Sequence, residues 1–405
     1  MFGKSMCPFY VILFCIPLLT GCWDSIDIEK RATVLGLAID EADPEAAEKE
    51  DYITHFRQNL PRSDQDMIRL TAQISVPGRI PLGPQTGGGG GEQEPVWVLS
   101  SYGHTIDDAL LNLQQELADE LFLGHLRIIV VNEKLAKKGI ERFNDYLRRQ
   151  PEVRRTAWMA VSKEEASKYM EIAPKLERVP TLYLTSMVSN AVDLGKFPHD
   201  DVGIFWRNLS SKGQDGYLPY LQIKGSENVE IKGLAYFNGN KMQGTIDPIE
   251  IGGHMSVIGE KEGGYGAFVS VPGTEEKVLV RAERRKSKMK TTIKDGKPVI
   301  RIKIRYESEI EEKENHKIKL NDPKIIQQIE KQATKDTTKS LVNLIKKMQK
   351  EKSDIFGFGE HIRAKHPAYW RKVVKTKENW RNIYKDVEVH IEMDTHIRRV
   401  GMKAK

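Results

Sequence analysis

Residues 126–161 read LRIIVVNEKLAKKGIERFNDYLRRQPEVRRTAWMAV. The apolar run at 126–131 predicts a buried strand, residues 133–149 predict a helix that ends before Pro151, and residues 156–161 predict a second strand. Two strands separated by a helix are typical of a parallel crossover, because the helix returns the chain to the end at which the first strand began. The stretch therefore indicates an α/β or α+β domain.

The chain on either side of this crossover carries signals for more strands and helices. Three short apolar or alternating runs predict strands: 32–40, 52–56 and 68–76. Thr105 suits the N-cap of a helix with an apolar residue at every third or fourth position: Ile106, Leu110, Leu113, Leu117 and Leu121. Further helices are predicted at 182–193 and 200–209.

The second half of the chain alternates apolar and charged residues, which is the pattern of half-buried strands. Residues 300–306 read IRIKIRY and residues 387–393 read VEVHIEM, and both runs are typical of antiparallel strands with one solvated face. Between them, Asp322 and Pro323 suit the N-cap and first position of a long helix. Its predicted buried stripe is Ile326, Ile329, Ala333, Leu341, Ile345 and Met348.

With 405 residues, of which 39% are hydrophobic, the chain is long enough for two or three domains with real cores. The predicted fold class is α+β: a multi-domain, mixed α/β protein with a largely antiparallel C-terminal sheet and a long helix, after a cleaved lipoprotein signal peptide. The predicted division is a signal peptide at 1–21, an N-terminal α/β domain at 22–205, a linker region at 206–228 and a C-terminal α+β domain at 229–405. A further division near residue 275 stays open.

The N-terminus predicts export. Residues 7–19 are almost entirely apolar and follow a single cation, Lys4. About 20 apolar residues are needed to cross a bilayer, so this shorter run fits the apolar region of a signal peptide. All three cysteines, Cys7, Cys15 and Cys22, lie in the first 22 residues, which excludes a disulfide framework and a CxxC metal site.

The end of this segment, Leu19-Thr20-Gly21-Cys22, resembles the lipobox of bacterial lipoproteins. The resemblance implies that a diacylglyceryl group is attached to the Cys22 sulfur and that the chain is then cleaved between Gly21 and Cys22. Two acyl chains on one residue are enough for stable anchoring. An ordinary signal peptide that contains a cysteine is the alternative.

Charge is distributed unevenly along the chain. Residues 277–405 carry 35 Lys and Arg against 18 Asp and Glu, whereas the rest of the chain carries 28 against 39. The densest cationic segment, at 281–290, reads RAERRKSKMK. For an exported chain this pattern favours anionic lipid headgroups over nucleic acid as a partner. A solvated, lysine-rich surface without a partner is equally compatible with the sequence.

Motifs for catalysis and metal binding are absent from the sequence. It contains no GxSxG, no HExxH and no Cys/His ligand set, and His361 and His366 are five residues apart, which does not align them on one helical face. His125 is interpreted as structural. Three aromatic residues at helical spacings are interpreted as core: Trp370, Trp380 and Tyr384. We therefore expect no catalytic residues, no metal, and no cofactor apart from a covalent lipid.

Two low-complexity stretches are interpreted as loops. The acidic segment at 41–51 contains Pro44 and lacks an apolar face. The five consecutive glycines at 87–91 lack the Lys and the Ser or Thr of a phosphate-binding loop, so they predict a surface excursion between two strands.

Several segments carry a family resemblance in collinear order: GCWD at 21–24, GHTIDDA at 103–109, LGHLRIIVV at 123–131, YLRRQPE at 146–152, IKGLAYF at 231–237, QKEKSDIFGFG at 349–359 and IRRVG at 397–401. Together they resemble the Ger(x)C family, the C-subunit lipoproteins of spore germinant receptors. The resemblance implies a multi-domain α+β protein on the outer face of the spore inner membrane. It also implies that this protein acts with an A-type and a permease-like B-type membrane subunit in detecting small nutrients.

Two other classes of protein stay open. A solute-binding lipoprotein that delivers a small molecule to a transporter needs a ligand cleft between two domains. A surface hydrolase needs catalytic residues, and the sequence carries no motif for them.

Overall fold

A computed structural model of the chain describes residues 30–43, 45, 67–77, 94–174, 177–314, 320 and 322–399. The predicted signal peptide, the strand predicted at 52–56 and the glycine run at 87–91 lie outside these residues. In chain order the strands are β1 (Arg31–Glu41), β2 (Ile68–Ser75), β3 (Val96–Gly103), β4 (Glu120–Phe122), β5 (Ile128–Asn132), β6 (Trp158–Ser162), β7 (Tyr217–Lys224), β8 (Asn228–Asn238), β9 (Lys241–Ile246), β10 (Gly266–Ser270), β11 (Lys277–Lys294), β12 (Lys297–Lys313) and β13 (Glu388–Arg399). The α-helices of at least six residues are α1 (Ile106–Gln114), α2 (Glu133–Lys138), α3 (Glu141–Arg149), α4 (Pro180–Asp193), α5 (Val202–Ser210), α6 (Pro248–Ile258), α7 (Pro323–Lys350), α8 (Phe358–Lys365) and α9 (Lys377–Tyr384).

Parallel strands form the centre of the first sheet. Strands β1, β5, β6 and β7 pair in parallel in that order. Every residue of β5 and β6 is buried, as expected for parallel strands that are covered on both faces. The crossover predicted from the first quoted stretch is confirmed.

Antiparallel hairpins extend this sheet on both sides. The strand order is β3-β2-β1-β5-β6-β7-β8-β9, with the short β4 beside the start of β1. At the β3 end of the sheet, Thr105 caps α1 by accepting a hydrogen bond from the Asp108 N–H, as the sequence predicts.

The single helix predicted at 133–149 is wrong, because the structure has two helices there. Gly139 separates α2 from α3 with a φ of 133°, which is far from a helical value and which a glycine adopts without a steric penalty. The chain turns at this glycine, and the N–H of Ile140 donates to the Asn240 carbonyl.

The predicted linker at 206–228 contains a strand of the first sheet. The first five residues of β7 are buried, and β7 lies between β6 and β8. The sheet then continues through β9, which ends at Ile246. The division into domains stays a prediction, but the first sheet extends beyond the predicted boundary.

The second sheet has four strands in the order β10-β11-β12-β13. The pairs β10–β11 and β11–β12 are antiparallel, which confirms a largely antiparallel C-terminal sheet within a mixed α/β fold. The pair β12–β13 is parallel, so the antiparallel interpretation of residues 387–393 is wrong. The reason is the connection, since α7 and the helices after it return the chain to the end of the sheet at which β12 begins.

The long helix α7 covers the inner face of the second sheet. Its cap is the predicted one, because the Asp322 carboxylate accepts a hydrogen bond from the Lys324 N–H. Five of the six residues of its predicted stripe are buried, whereas Ile326 is only partly buried.

One apolar core joins the two sheets. It combines Tyr217 of β7 and Met255 of α6 with Ile302 of β12 and Trp380 of α9. The His254 ring of α6 lies edge-on to Tyr217, with ring centroids 4.8 Å apart. At its edge the two parts of the chain approach so closely that only glycines fit. A Cβ on Gly359 would lie 2.4 Å from Trp380 Nε1 and 2.6 Å from Gly213 Cα.

Substituting Gly359 with Ala tests this close approach. We expect Gly359→Ala to lower the free energy of unfolding by about 3 kcal/mol, because the added methyl group pushes both the backbone of residue 213 and the Trp380 ring away from residue 359. The matched control is Gly252→Ala in α6, where the new Cβ lies 3.6 Å from Tyr265 and helix propensity favours Ala by about 1 kcal/mol. Urea unfolding measures both, and equal stability of the two variants would contradict the prediction.

The buried histidine of this core gives a pH-dependent prediction. His254 is fully buried, neither ring nitrogen has a hydrogen-bond partner among the described residues, and burial together with Arg285 lowers its pKa from 6.5 to about 3. Between these two values the unfolded chain binds a proton that the folded chain does not, so stability falls as the pH falls.

We expect His254→Leu to remove this loss of stability. From pH 7 to pH 5, the free energy of unfolding of the wild type should fall by about 2 kcal/mol more than that of the variant. Denaturant unfolding at both pH values measures the difference. His199→Leu, at a side chain that is 58% exposed, is the control and should track the wild type. The interpretation fails if the stabilities of His254→Leu and wild type change in parallel.

Candidate functional site

The residues predicted for lipidation lie outside the part of the chain that the structure describes. These are Cys22, the predicted acylation site, and the lipobox residues Leu19, Thr20 and Gly21. The described chain begins at Lys30, eight residues after Cys22, and enters β1 directly. The role of these four residues therefore stays a prediction.

The predicted basic segment at 281–290 lies in β11, next to a second row of cations in β12. Three cross-strand pairs place like charges opposite one another: Lys286 with Arg305, Lys288 with Lys303, and Lys290 with Arg301. Alternation along each strand puts all six on the solvent side of the sheet, where all are exposed. We call these six residues the cationic face.

Neutralisation of the cationic face is partial. Lys303 lies 3.9 Å from Glu392, with its own side chain 76% exposed, and Arg305 lies 3.8 Å from Asp394. Such exposed pairs contribute between about 0 and 1 kcal/mol. Three cations, Lys288, Lys290 and Arg301, form no ion pair with any residue described by the structure.

Like charges directly opposite each other on a sheet are destabilising. An array of such pairs therefore lowers stability unless an anionic surface covers it. Anionic headgroups attract Lys and Arg by about 1 kcal/mol per residue close to a membrane. The cationic face thus has the charge and the exposure to lie against an extended anionic surface.

A second cationic surface is a cleft of about 970 Å³ between α3, α5 and α8. Its cationic side chains are Arg148, Arg155, Arg207, Lys212, Arg363 and Arg371, and we call it the arginine cleft. The carboxylate that lines it, Glu360, accepts hydrogen bonds from Arg363 Nε at 2.8 Å and from the Gly213 N–H at 2.8 Å. Burial raises the pKa of Glu360, but these contacts and the Ser211 hydroxyl outweigh burial and hold the pKa below its ordinary value.

The sequence alone does not predict the arginine cleft, because its cations come from three distant segments, near residues 150, 210 and 365. Only Trp370, which also lines it, had been singled out, and it is buried as predicted. No local motif marks such a site, and four of its six cations lie outside the basic C-terminal third, so the sequence carries no signal for it.

The other predicted side chains have structural positions. Trp380 and Tyr384 are buried in the core that joins the sheets. His125 lies edge-on to Phe122 with ring centroids 5.7 Å apart, and burial with Arg154 and Arg127 lowers its pKa. Within the described ranges, no three His, Cys, Asp or Glu residues are grouped so that they could hold a metal ion. Nor does any helix in those ranges have the length and apolar character needed to span a bilayer.

Two family models match the chain one after the other. The model described as "Spore germination protein N-terminal domain" matches residues 24–223, and "Spore germination B3/ GerAC like, C-terminal" matches residues 232–401. The two models therefore cover almost all of the chain after the predicted cleavage site.

Individual proteins show the same similarity. Spore germination protein KC of Bacillus subtilis (strain 168) is 26% identical over 420 residues, with 97% of this chain and 95% of that protein covered. GerQC of Bacillus cereus is 24% identical over 345 residues, with 84% of this chain and 93% of that protein covered. The crystal structure of the GerBC protein matches with a TM-score of 0.51 at 18% identity, covering 89% of this chain and 96% of that one. This last likeness shows that the fold is shared.

The cationic face gives a binding prediction. Replacing Lys288, Lys290 and Arg301 with Ser should weaken binding of the full chain to phosphatidylglycerol-rich vesicles at least tenfold at low salt, because three unpaired cations are lost. The matched control replaces Lys331, Lys335 and Lys339, which are exposed on α7, and should change binding less than twofold. Vesicle sedimentation measures both, and equal losses would show that only net charge matters.

Proposed function

Because the chain belongs to the GerAC-like family of spore germination proteins, we propose that it is a membrane-anchored lipoprotein subunit of a spore germinant receptor. In this role it is required for nutrient-triggered germination and acts with integral-membrane A-type and B-type subunits. The observation that carries the proposal is the collinear match over residues 24–401, directly after the lipobox-like Leu19-Thr20-Gly21-Cys22.

The proposed anchor is a diacylglyceryl group on Cys22. Each buried CH₂ contributes about 0.8 kcal/mol, and two acyl chains make the attachment stable where one is marginal. Lys30 follows Cys22 by eight residue steps, which span at most about 30 Å when fully extended. The start of β1 therefore stays within this distance of the membrane.

Tethering also sets how strong the other contacts need to be. A protein held at a membrane meets its membrane partners at a high effective concentration, so a modest interface is sufficient. The cationic face supports an orientation with the second sheet toward anionic headgroups on the outer face of the spore inner membrane. The arginine cleft then offers a separate anion-binding surface to acidic segments of the other subunits.

The proposed role is binding, and we assign no catalytic residue. The charged groups of the cationic face and of the arginine cleft are almost all cations, so neither surface provides the paired acid and base that hydrolysis requires. The cations instead suit recognition of anionic partners.

Substitution of Cys22 tests the anchor. In Cys22→Ala spores we expect the protein to be lost from the membrane fraction and nutrient-triggered germination to fall to the level of a deletion strain, because the lipobox then lacks the thiol that is acylated. Cys15→Ala, inside the predicted signal peptide, is the matched control and should behave as wild type. The fall in optical density after nutrient addition measures germination, and mass spectrometry of the mature N-terminus shows the lipid. Normal germination with an unacylated, membrane-free protein would refute the proposal.

A further inference from the structure

The apolar inner face of the second sheet is interrupted at one level across three strands. On β12 the inward row runs from Ile300 through Ile304 and then changes to Tyr306 and Ser308. Tyr306 pairs with Arg285 of β11 on one side and with Thr395 of β13 on the other. Polar groups thus cross the buried face of the sheet in one line.

The helix above this line is interrupted at the same place. The buried stripe of α7 passes from Ala333 to Leu341, and the intervening inward position is Thr337. On the neighbouring helix α6 the facing positions are Gly252 and Gly253. Small or polar residues on several elements therefore leave the two apolar clusters under α7 unconnected.

The result is a cavity of about 190 Å³ between α6, α7 and the second sheet. Its walls include Val280, Ala333 and Leu341. The carboxylate that lines it, Asp336, is exposed and accepts hydrogen bonds from Gln332 Nε2 at 2.9 and 3.0 Å. At its rim, Phe268 and Ile249 are the two most exposed large apolar side chains of the described residues, at 62% and 58%. Apolar walls with a few converging polar groups are the usual composition of a small-molecule site.

Three polar groups lining this cavity are buried without partners. Ser308 Oγ, Thr395 Oγ1 and Arg285 Nε have no hydrogen-bond partner among the described residues, although the three residues are at most 4% exposed. Buried polar groups normally find partners. Each of these three groups is therefore free to donate a hydrogen bond to a ligand in the cavity.

The charge of Arg285 selects the kind of ligand. Its terminal nitrogens donate to main-chain carbonyls, among them Gly252 O at 2.9 Å and Gly195 O at 3.3 Å. Glu260 and Glu262 act on its guanidinium through space, but no described carboxylate lies within ion-pair distance, so the buried positive charge has no contacting counter-charge. Buried charges are normally paired, and a carboxylate is the natural partner of a guanidinium.

We propose that the cavity between α6, α7 and the second sheet is a binding site for a small organic carboxylate with a compact apolar body. The carboxylate accepts hydrogen bonds from Ser308, Thr395 and Arg285, and the apolar body lies against Val280 and Leu341. A cavity of about 150 Å³ is enough to hold benzene, so a single ring or a short branched chain fits this one. The site is independent of the anchor proposed at Cys22 and of the partners of the chain.

The probe for the test is 4-fluorobenzoate, titrated into the full chain and followed by fluorine NMR. We expect saturable binding, with at least tenfold weaker binding of the neutral 4-fluorobenzamide and of the cationic 4-fluorobenzylamine. Equal binding of all three compounds would overturn the carboxylate assignment. If none of the three compounds binds, the cavity holds only water and the proposal is wrong.

Two variants locate the binding. Thr337→Leu fills the gap in the α7 stripe, so it should abolish binding and raise the melting temperature, because the two clusters become continuous. Thr338→Val, whose native hydroxyl is already bonded to the Thr334 carbonyl, is the matched control and should bind as wild type. Ser308→Ala should weaken binding several-fold in a folded chain. Unchanged affinity in both Thr337→Leu and Ser308→Ala would place the probe elsewhere and overturn the proposal.

Discussion

The structure depends on two buried carboxylates that join its halves. Asp215, just before β7, pairs with Arg381 at 2.6 Å and accepts hydrogen bonds from the N–H groups of Gly239 and Asp354. Asp354 in turn accepts from Gly359 N at 2.8 Å and Trp380 Nε1 at 2.9 Å. Burial outweighs these bonds and raises the pKa of Asp354 to about 7. Separating the first sheet from the C-terminal helices would leave these buried charges without partners, which is strongly destabilising. The network therefore holds the two parts in one relative position. The arginine cleft exists only in this arrangement, because its two walls belong to the two joined parts.

Much of the fold follows from local patterns, and the exceptions are places where distant residues decide. Thr105 and Asp322 cap helices as predicted because a cap needs only neighbours in sequence. Gly139 ends a helix that periodicity alone extends, since the apolar stripe continues on both sides of the break. The parallel pairing of β13 with β12 was missed because alternation reports a half-buried strand and does not report the direction of its neighbour.

The candidate sites were predicted less well than the fold. The basic segment in β11 was visible as composition, but the matching row in β12 becomes its neighbour only through register. The cavity is a mismatch between elements that are far apart in sequence, and Thr337, Ser308 and Thr395 are unremarkable within their own segments. The predicted anchor at Cys22 is the reverse case, since a lipobox is read entirely from adjacent residues.

One irregularity in β11 produces both the cationic face and the cation in the cavity. Ala282 pairs with Ser308 and Arg284 pairs with Glu307, so Glu283 is an extra residue that forms a β-bulge. An inserted residue reverses the alternation of every side chain after it. Before the bulge Val278 and Val280 point inward, and after it Arg285 points inward while Lys286, Lys288 and Lys290 face solvent. Without this residue the three lysines would point into the core. The bulge therefore lets a segment as basic as 281–290 belong to a sheet whose other face is apolar, and the buried charge of Arg285 is the consequence of that arrangement.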